Sequence, residues 1–240
     1  MIKLEHITVQ YKEVTALDDV SLAVGPHEIV GIVGESGSGK STLAHVMLGE
    51  LRAQRGQVTS TFQRVLPILQ HASYAFNPKM TIARALNEAL AYEASQRQAH
   101  QHYRDELMAS MGLSHELMKR YPNALSGGQL QRFNVIRTLM LQPDLLICDE
   151  ITANLDVIAE HRMAQQLKRH VERTHCAMVV ISHDLAFLQK WVSRIVVMYQ
   201  GRVVDAFPIE ALFDEARDDY TKALLSIYEW MPMRQVKRYV

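Results

Sequence analysis

The chain has 240 residues, 48% of them hydrophobic and 22% charged, and its 26 Lys plus Arg balance 26 Asp plus Glu. That length fits one α/β domain, or one domain with a sizeable insertion, and the balanced charge gives no case for a nucleic-acid or membrane-surface partner. Two cysteines, Cys148 and Cys176, lie in apolar runs as small buried side chains do, which is no secreted disulfide framework.

In chain order, "IKLEHITVQY" alternates apolar and polar residues like a half-buried antiparallel strand. It is no signal peptide. "SLAVGPHEIVGIVG" reads as two strands broken at Gly25-Pro26, the second apolar throughout and so covered on both faces. "KSTLAHVMLGEL" has helical spacing. From about 76 to 135 the residues are rich in Ala, Leu, Met and Glu and poor in β-branched types. We expect a mainly helical insertion there, with the polar run "EASQRQAHQHYRDE" exposed. A helix over roughly 129 to 141 follows Gly127-Gly128. Then come strand "LLICD", helix "AEHRMAQQLKRHVERT" and strand "AMVVIS". "RIVVMYQGRVVDAF" predicts a hairpin turning at Gln200-Gly201, and about 208 to 240 predicts a helical tail. Strands alternating with helices imply a largely parallel sheet in a single domain over 1–240. No apolar stretch approaches the roughly 20 residues of a membrane helix. The expectation is a soluble protein of a reducing compartment, which another component must hold if it works at a membrane.

After the strand "EIVGIV" stands "GESGSGKST": Gly34, Glu35, Ser36, Gly37, Ser38, Gly39, Lys40, Ser41 and Thr42. It fits G-x-x-x-x-G-K-[ST] between a strand and a helix, the context that gives the motif meaning. Glycines let backbone N–H groups close around phosphate oxygens, and the helix N-terminus adds positive dipole. Lys40 reaches the β- and γ-phosphates, and Ser41 suits Mg²⁺. Such a loop needs an acid at a strand end to hold hydrated Mg²⁺, and "LLICD" supplies Asp149. A helix N-cap is the plainer role for Asp149, but it leaves the adjacent acid Glu150 without a task.

"ALSGGQLQR", 124 to 132, contains "LSGGQ" unaltered. With "GESGSGKST" before it and "LLICDE" after it, the chain resembles the ATP-binding cassette (ABC) ATPases over essentially its whole length. The resemblance implies a P-loop NTPase (RecA-like) α/β core, an N-terminal antiparallel β subdomain and an inserted α-helical subdomain. It also implies ATP and Mg²⁺ as cofactors. Tyr11 matches the aromatic that stacks on adenine, and is otherwise a plain strand aromatic. Gln70, in "LPILQH", matches the glutamine that touches Mg²⁺ and the attacking water; otherwise it is a loop residue. His183, in "ISHD", matches the histidine facing the γ-phosphate.

By the same resemblance two cassettes meet head to tail. Ser126, Gly127, Gly128 and Gln129 of each would face the ATP on the other's P-loop, and Asp156, in "NLD", would cross the interface. Glu150 would be the general base or water-orienting residue. Ser41, Gln70 and Asp149 would hold Mg²⁺.

"QHASYAFNPKMTI" and "DDYTKALL" resemble segments of the peptide/nickel importer group. "QRFNVIRTLMLQPDLLICDEITANLDVIAEHR" is similar to ATPase subunits of opine-metallophore (staphylopine-type) importers, including Ile151 in place of the usual proline. The implied partners are a second, related cassette, two membrane permeases met by the helical insertion and, indirectly, an extracytoplasmic binding protein, with no nucleic acid. The implied place is the cytoplasmic face of the cell membrane. The segment Gly56 to Gln70 is shorter than the family's usual one, so the antiparallel subdomain is expected to be trimmed. No iron–sulfur cysteine cluster is present, and "HQH" at 100 to 102 reads as a polar helix face rather than a metal site. A soluble cassette machine, a P-loop kinase and a non-catalytic cassette are the rivals; the kinase leaves "LSGGQ", Gln70 and His183 unused.

Overall fold

The computed structural model describes residues 1–91, 97–151, 157–183, 185–214 and 216–229. In chain order the elements are β1 (Ile2–Tyr11), β2 (Val14–Val24), β3 (Ile29–Val33), α1 (Lys40–Met47), β4 (Arg55–Ser60), β5 (Val65–Ile68), α2 (Ile82–Ala91), α3 (Arg97–Ser110), α4 (Gly127–Leu139), β6 (Leu145–Asp149), α5 (Val157–Thr174), β7 (Ala177–Ile181), α6 (Leu185–Leu188), β8 (Arg194–Tyr199), β9 (Arg202–Pro208) and α7 (Asp219–Glu229). They fall into two compact units. One comprises Met1–Ile2, Val24–Glu28 and Ser60–Val180; the other comprises Lys3–Ala23, Ile29–Thr59 and Ile181–Val240.

The second unit contains the three-stranded sheet β2-β1-β4. Only Lys12 and Glu13 separate β1 from β2, so the two run antiparallel as hairpin neighbours. Lys12 takes the positive φ of 52° that the tight turn requires. Along β1, Ile2, Leu4, Ile7 and Val9 are buried, and the polar residues between them face out. In the same unit β3 pairs with β8 in parallel, Val30 opposite Arg194 and Val33 opposite Val197. β8 continues into the antiparallel strand β9. The turn between them uses Gln200 at φ 46° and Gly201 at φ 79°, the left-handed pair that a two-residue hairpin favours.

In the first unit β5, β6 and β7 lie side by side in that order. β5 and β6 are parallel, with Val65 opposite Leu145 and Ile68 opposite Cys148. Every residue of β7, and Leu145 to Cys148 of β6, is buried, as expected of parallel strands covered on both faces. Helices α2, α3 and α4 pack around them, with Phe133, Leu86, Leu90 and Met108 fully buried. Each such side chain contributes about 1.5–3 kcal/mol. Cys148 and Cys176 are both free and buried, and burial pushes the Cys176 thiol up to about 12, so it stays a neutral thiol.

The structure corrects three expectations. The polar run around "HQH" is not wholly exposed: His100 is fully buried and Tyr103 nearly so. They share a face of α3 with Leu107, at helical spacing, and that face turns inward. The tail near 208 is a 3₁₀ turn over Ile209–Ala211, with the α-helix starting only at Asp219. The helix after the Gly-Gly pair begins at Gly127 itself, because Ser126 caps it.

Candidate functional site

The phosphate loop leaves β3 at Gly34 and enters α1 at Lys40. Two of its glycines are fixed by space. A Cβ on Gly34 would stand 2.1 Å from the Met198 carbonyl oxygen, and one on Gly39 would stand 2.5 Å from that of Ala16. Gly39 also has φ 102°, so no other residue closes this turn without strain. Gly37, at φ 81°, has open space instead. The Lys40 ammonium is buried and donates to Gly34 O at 2.8 Å, Glu35 O at 2.6 Å and Ser38 Oγ at 3.2 Å. The loop thus holds one positive charge inside a ring of backbone. Ser41 is exposed and Thr42 half-buried on the first turn of α1. In the same unit Tyr11, half exposed, stands at the tip of the β1–β2 hairpin. His183 is exposed two residues past β7.

The other unit brings Gln70 and Glu150 together: Gln70 Nε2 donates to Glu150 Oε2 at 2.8 Å. Strand register explains the meeting. Ile68 lies opposite Cys148, and two residues beyond each comes Gln70 on one strand and Glu150 on the other. Asp149 ends β6 half-buried. Glu150 adopts φ 45°, a left-handed conformation uncommon for a non-glycine residue.

Three polar side chains of α4 hold these strand ends in place. Gln131 Nε2 donates to Leu69 O and Ile151 O, both at 3.3 Å. Asn134 Nδ2 donates to Leu69 O at 3.1 Å, and Thr138 Oγ1 to Pro67 O at 3.0 Å. All three are buried. The Leu69 and Ile151 carbonyls lie just past the ends of β5 and β6, and Pro67 lies within β5, so α4 satisfies acceptors at both strand ends. These residues escaped sequence reasoning. Their signal was a polar stripe at i, i+3 and i+7 inside an otherwise apolar helix, with Ile151 buried beneath it.

The segment "LSGGQ" forms the N-terminus of α4. Ser126 Oγ accepts from Gln129 N at 3.2 Å, and Ser126 N donates to Gln129 Oε1 at 3.1 Å. This is a capping box. The Ser126 hydroxyl proton stays available for donation, and the residue is exposed. A Cβ on exposed Gly127 would meet nothing within 4 Å, so the fold of one chain gives no reason for glycine there. Gly128 O accepts from Arg132 Nε at 3.1 Å. Asp156 lies outside the described residues.

A glycine-cradled lysine loop at a helix N-terminus, with an acid-tipped parallel strand and its paired glutamine, defines a P-loop ATPase. The chain belongs to the ABC transporter family, whose description matches residues 17–153, and it is an ATP-binding, ATP-hydrolysing cassette. Among proteins similar to it is the nickel import system ATP-binding protein NikE of Staphylococcus aureus strain MSSA476, 43% identical over 233 residues, which are 96% of this chain and 100% of that protein. The same protein from strain USA300 matches equally well. Among solved structures, the ATP-binding cassette MJ0796, a dimer in a post-hydrolysis state bound to ADP and Pi, superimposes with a TM-score of 0.77 at 25% identity, covering 87% of this chain and 99% of that one. An ATP-binding subunit of an ABC transporter gives 0.83 at 19% identity over 94% of this chain and 99% of that one, a likeness of fold. The expected α/β core, antiparallel β subdomain and family are thereby borne out. Among the described residues no helix is long and apolar enough to cross a membrane, and no group of three or more His, Cys, Asp or Glu is placed to hold a metal ion.

Proposed function

We propose that this chain is the ATP-hydrolysing subunit of a membrane importer for nickel or a related metal carried as a metal–chelate complex. The observation that carries the substrate class is its 43% identity, over 96% of its own length, to a nickel import ATPase. In this reading residues 1–240 act as one cassette domain, with the helical insertion of about 76–135 docked on permease subunits. The C-terminal segment of about 208–240 belongs to the same domain, its residues 230–240 lying outside the described residues. A second, related cassette completes the ATP sites, two permeases form the path and an extracytoplasmic binding protein selects cargo. The subunit works at the cytoplasmic face of the cell membrane.

The residues present fit MgATP. Lys40 sits in a ring made by Gly34 O, Glu35 O and Ser38 Oγ, and it exchanges loop carbonyls for phosphate oxygens. The exposed Ser41 hydroxyl and the Asp149 carboxylate, with Gln70, are hard oxygen donors suited to Mg²⁺. An Mg²⁺ ion held by these residues would offset the negative charge of the ATP phosphates. Tyr11 offers its exposed ring to the base, and His183 its imidazole to the γ-phosphate. Glu150, oriented by Gln70, accepts the proton of the attacking water. Ser126, Gly127, Gly128 and Gln129 serve the ATP bound by the second cassette, and Asp156 reaches toward that partner.

Replacing Glu150 by Gln keeps the size and the Gln70 contact but removes the base. The expected result is retained ATP binding with hydrolysis reduced roughly 10²–10⁴-fold, and loss of radiolabelled nickel uptake in cells depending on this system. Turnover at the wild-type rate would remove Glu150 from its role. Intact dipeptide uptake with no nickel dependence would replace the metal importer by a peptide importer.

A further inference from the structure

The C-terminal stretch "DDYTKALL" has no task in the scheme above, yet it reaches the phosphate loop. Its helix, α7, is anchored firmly at its start. Asp218 N donates to Asp205 Oδ2 at 3.1 Å, and the Asp218 carboxylate accepts from Tyr220 N at 2.9 Å. Arg217 lies 3.7 Å from Asp205 and 4.3 Å over the ring of Phe207, both on β9. These contacts fix where Tyr220 projects.

The Tyr220 ring stacks on Tyr199, the last residue of β8, with centroids 4.2 Å apart and planes at 28°. Its hydroxyl oxygen accepts the backbone N–H of Glu35 at 3.1 Å. Glu35 is the second residue of the phosphate loop. Just beyond Tyr199, in the hairpin turn, Gly201 N donates to Ser38 O at 3.1 Å. The β8–β9 hairpin and α7 therefore grip the loop at both its entry and its middle. Burial raises the Tyr220 phenol above its ordinary range, which keeps the hydroxyl neutral.

We propose that Tyr220 is a positioning residue for nucleotide binding: held by its stack on Tyr199, its hydroxyl fixes the entry of the phosphate loop through the Glu35 amide, so that α7 sets the affinity for ATP. Glu35 is exposed, and without this acceptor its amide turns to water and the loop entry samples conformations that ATP must reorder. Ordering before binding raises affinity without a new contact to the ligand. The proposal rests on Gly34–Thr42 being the phosphate loop. That premise is checked separately, because wild-type chain must bind fluorescent ATP analogue and Lys40→Ala must not.

Tyr220→Phe removes the hydroxyl alone. Losing one neutral hydrogen bond should weaken binding of the analogue to the full chain, and raise KM for ATP in the assembled complex, by about 2- to 10-fold. It should leave kcat within about twofold and the nucleotide-free melting midpoint unchanged. Tyr199→Leu, which removes the stack, should raise KM similarly. The double variant should then be no worse than the worse single, because both act through one contact. Wild-type KM in Tyr220→Phe overturns the proposal, as does a fall in kcat at constant KM or additive effects in the double variant. If Tyr199→Leu fails to fold, Tyr220→Phe decides alone.

Discussion

Gly34 and Gly127 are glycines for opposite reasons, and the difference can be measured. At Gly34 a methyl group would stand 2.1 Å from the Met198 carbonyl oxygen, so backbone must move. Gly34→Ala should lower stability by about 1–3 kcal/mol or more, read as a shift in urea midpoint, and should abolish ATP binding. At Gly127, the first residue of α4, a methyl group meets nothing within 4 Å. Alanine there should hold stability at or slightly above wild type, by up to about 1 kcal/mol, because it restricts the unfolded chain and suits a helix. If Gly127 admits the phosphates of a second cassette, the same substitution should cut ATP hydrolysis in the assembled complex at least about tenfold. A stable variant with full activity would show that the exposed end of α4 faces no ligand. Asp149, Glu150 and Gln70 show the same contrast between what motif and geometry supply. The motif points to each residue singly. Their arrangement comes from the β5–β6 register, which sets Ile68 opposite Cys148.

Elements were legible in the sequence to the extent that burial pattern and length agreed. β6 and β7 announce themselves as apolar runs, and the β8–β9 hairpin by Gln200-Gly201. β5 does not: it has four residues with Pro67 among them. It survives because it is the outer strand of its row, where a missing N–H is tolerated, and because Thr138 satisfies its Pro67 carbonyl. β4 is exposed along its whole length, so no hydrophobic alternation marks it. α3 misled in the other direction, since its polar composition hid an inward face bearing His100 and Tyr103. Part of that face makes a titration prediction. The Tyr103 hydroxyl and His170 Nδ1 lie 2.8 Å apart, and Arg173 of α5 sits 4.5 Å over the Tyr103 ring while pairing with Glu106 at 2.8 Å. Burial, then the nearby Arg173 charge, lowers the His170 pKa to about 4. The folded state therefore binds fewer protons than the unfolded one between the ordinary histidine range and about 4. Stability from this group is complete above pH about 6.5 and is lost as pH falls toward 4, by about 3 kcal/mol at most. Urea unfolding from pH 7 to 4.5 should show that loss. His170→Gln, which does not titrate, should have a shallower slope; an equal slope would assign the acid sensitivity to other groups.

At the scale of the whole molecule the question is what a single chain can do. Its formal net charge is zero, so long-range electrostatic steering contributes little to assembly, and association must rest on local surfaces. The phosphate loop, the Glu150–Gln70 pair and the signature segment are all present in one chain. Yet Ser126 and Gly127 are exposed, with a free hydroxyl proton on one and an unexplained missing side chain on the other. A complete site inside one chain would leave those features idle; a site shared between two cassettes uses both. The purified chain should therefore bind ATP through its own loop but hydrolyse it at no more than about a tenth of the rate of the assembled complex, since removing donors to the transferring phosphate costs that much or more. Adding the proposed second cassette and permeases should raise the rate per chain, and that rate should depend on protein concentration as a bimolecular association does. Lys40→Ala and Gly127→Ala, both placed in this chain, would then damage different ATP sites. The first should remove one of two bound nucleotides per complex. The second should leave occupancy intact while slowing hydrolysis at the partner's loop. Equilibrium dialysis and steady-state ATPase assays on the reconstituted complex separate the two effects. A lone chain at high dilution with the full complex's turnover would show a self-sufficient enzyme, and the exposed end of α4 would need another explanation.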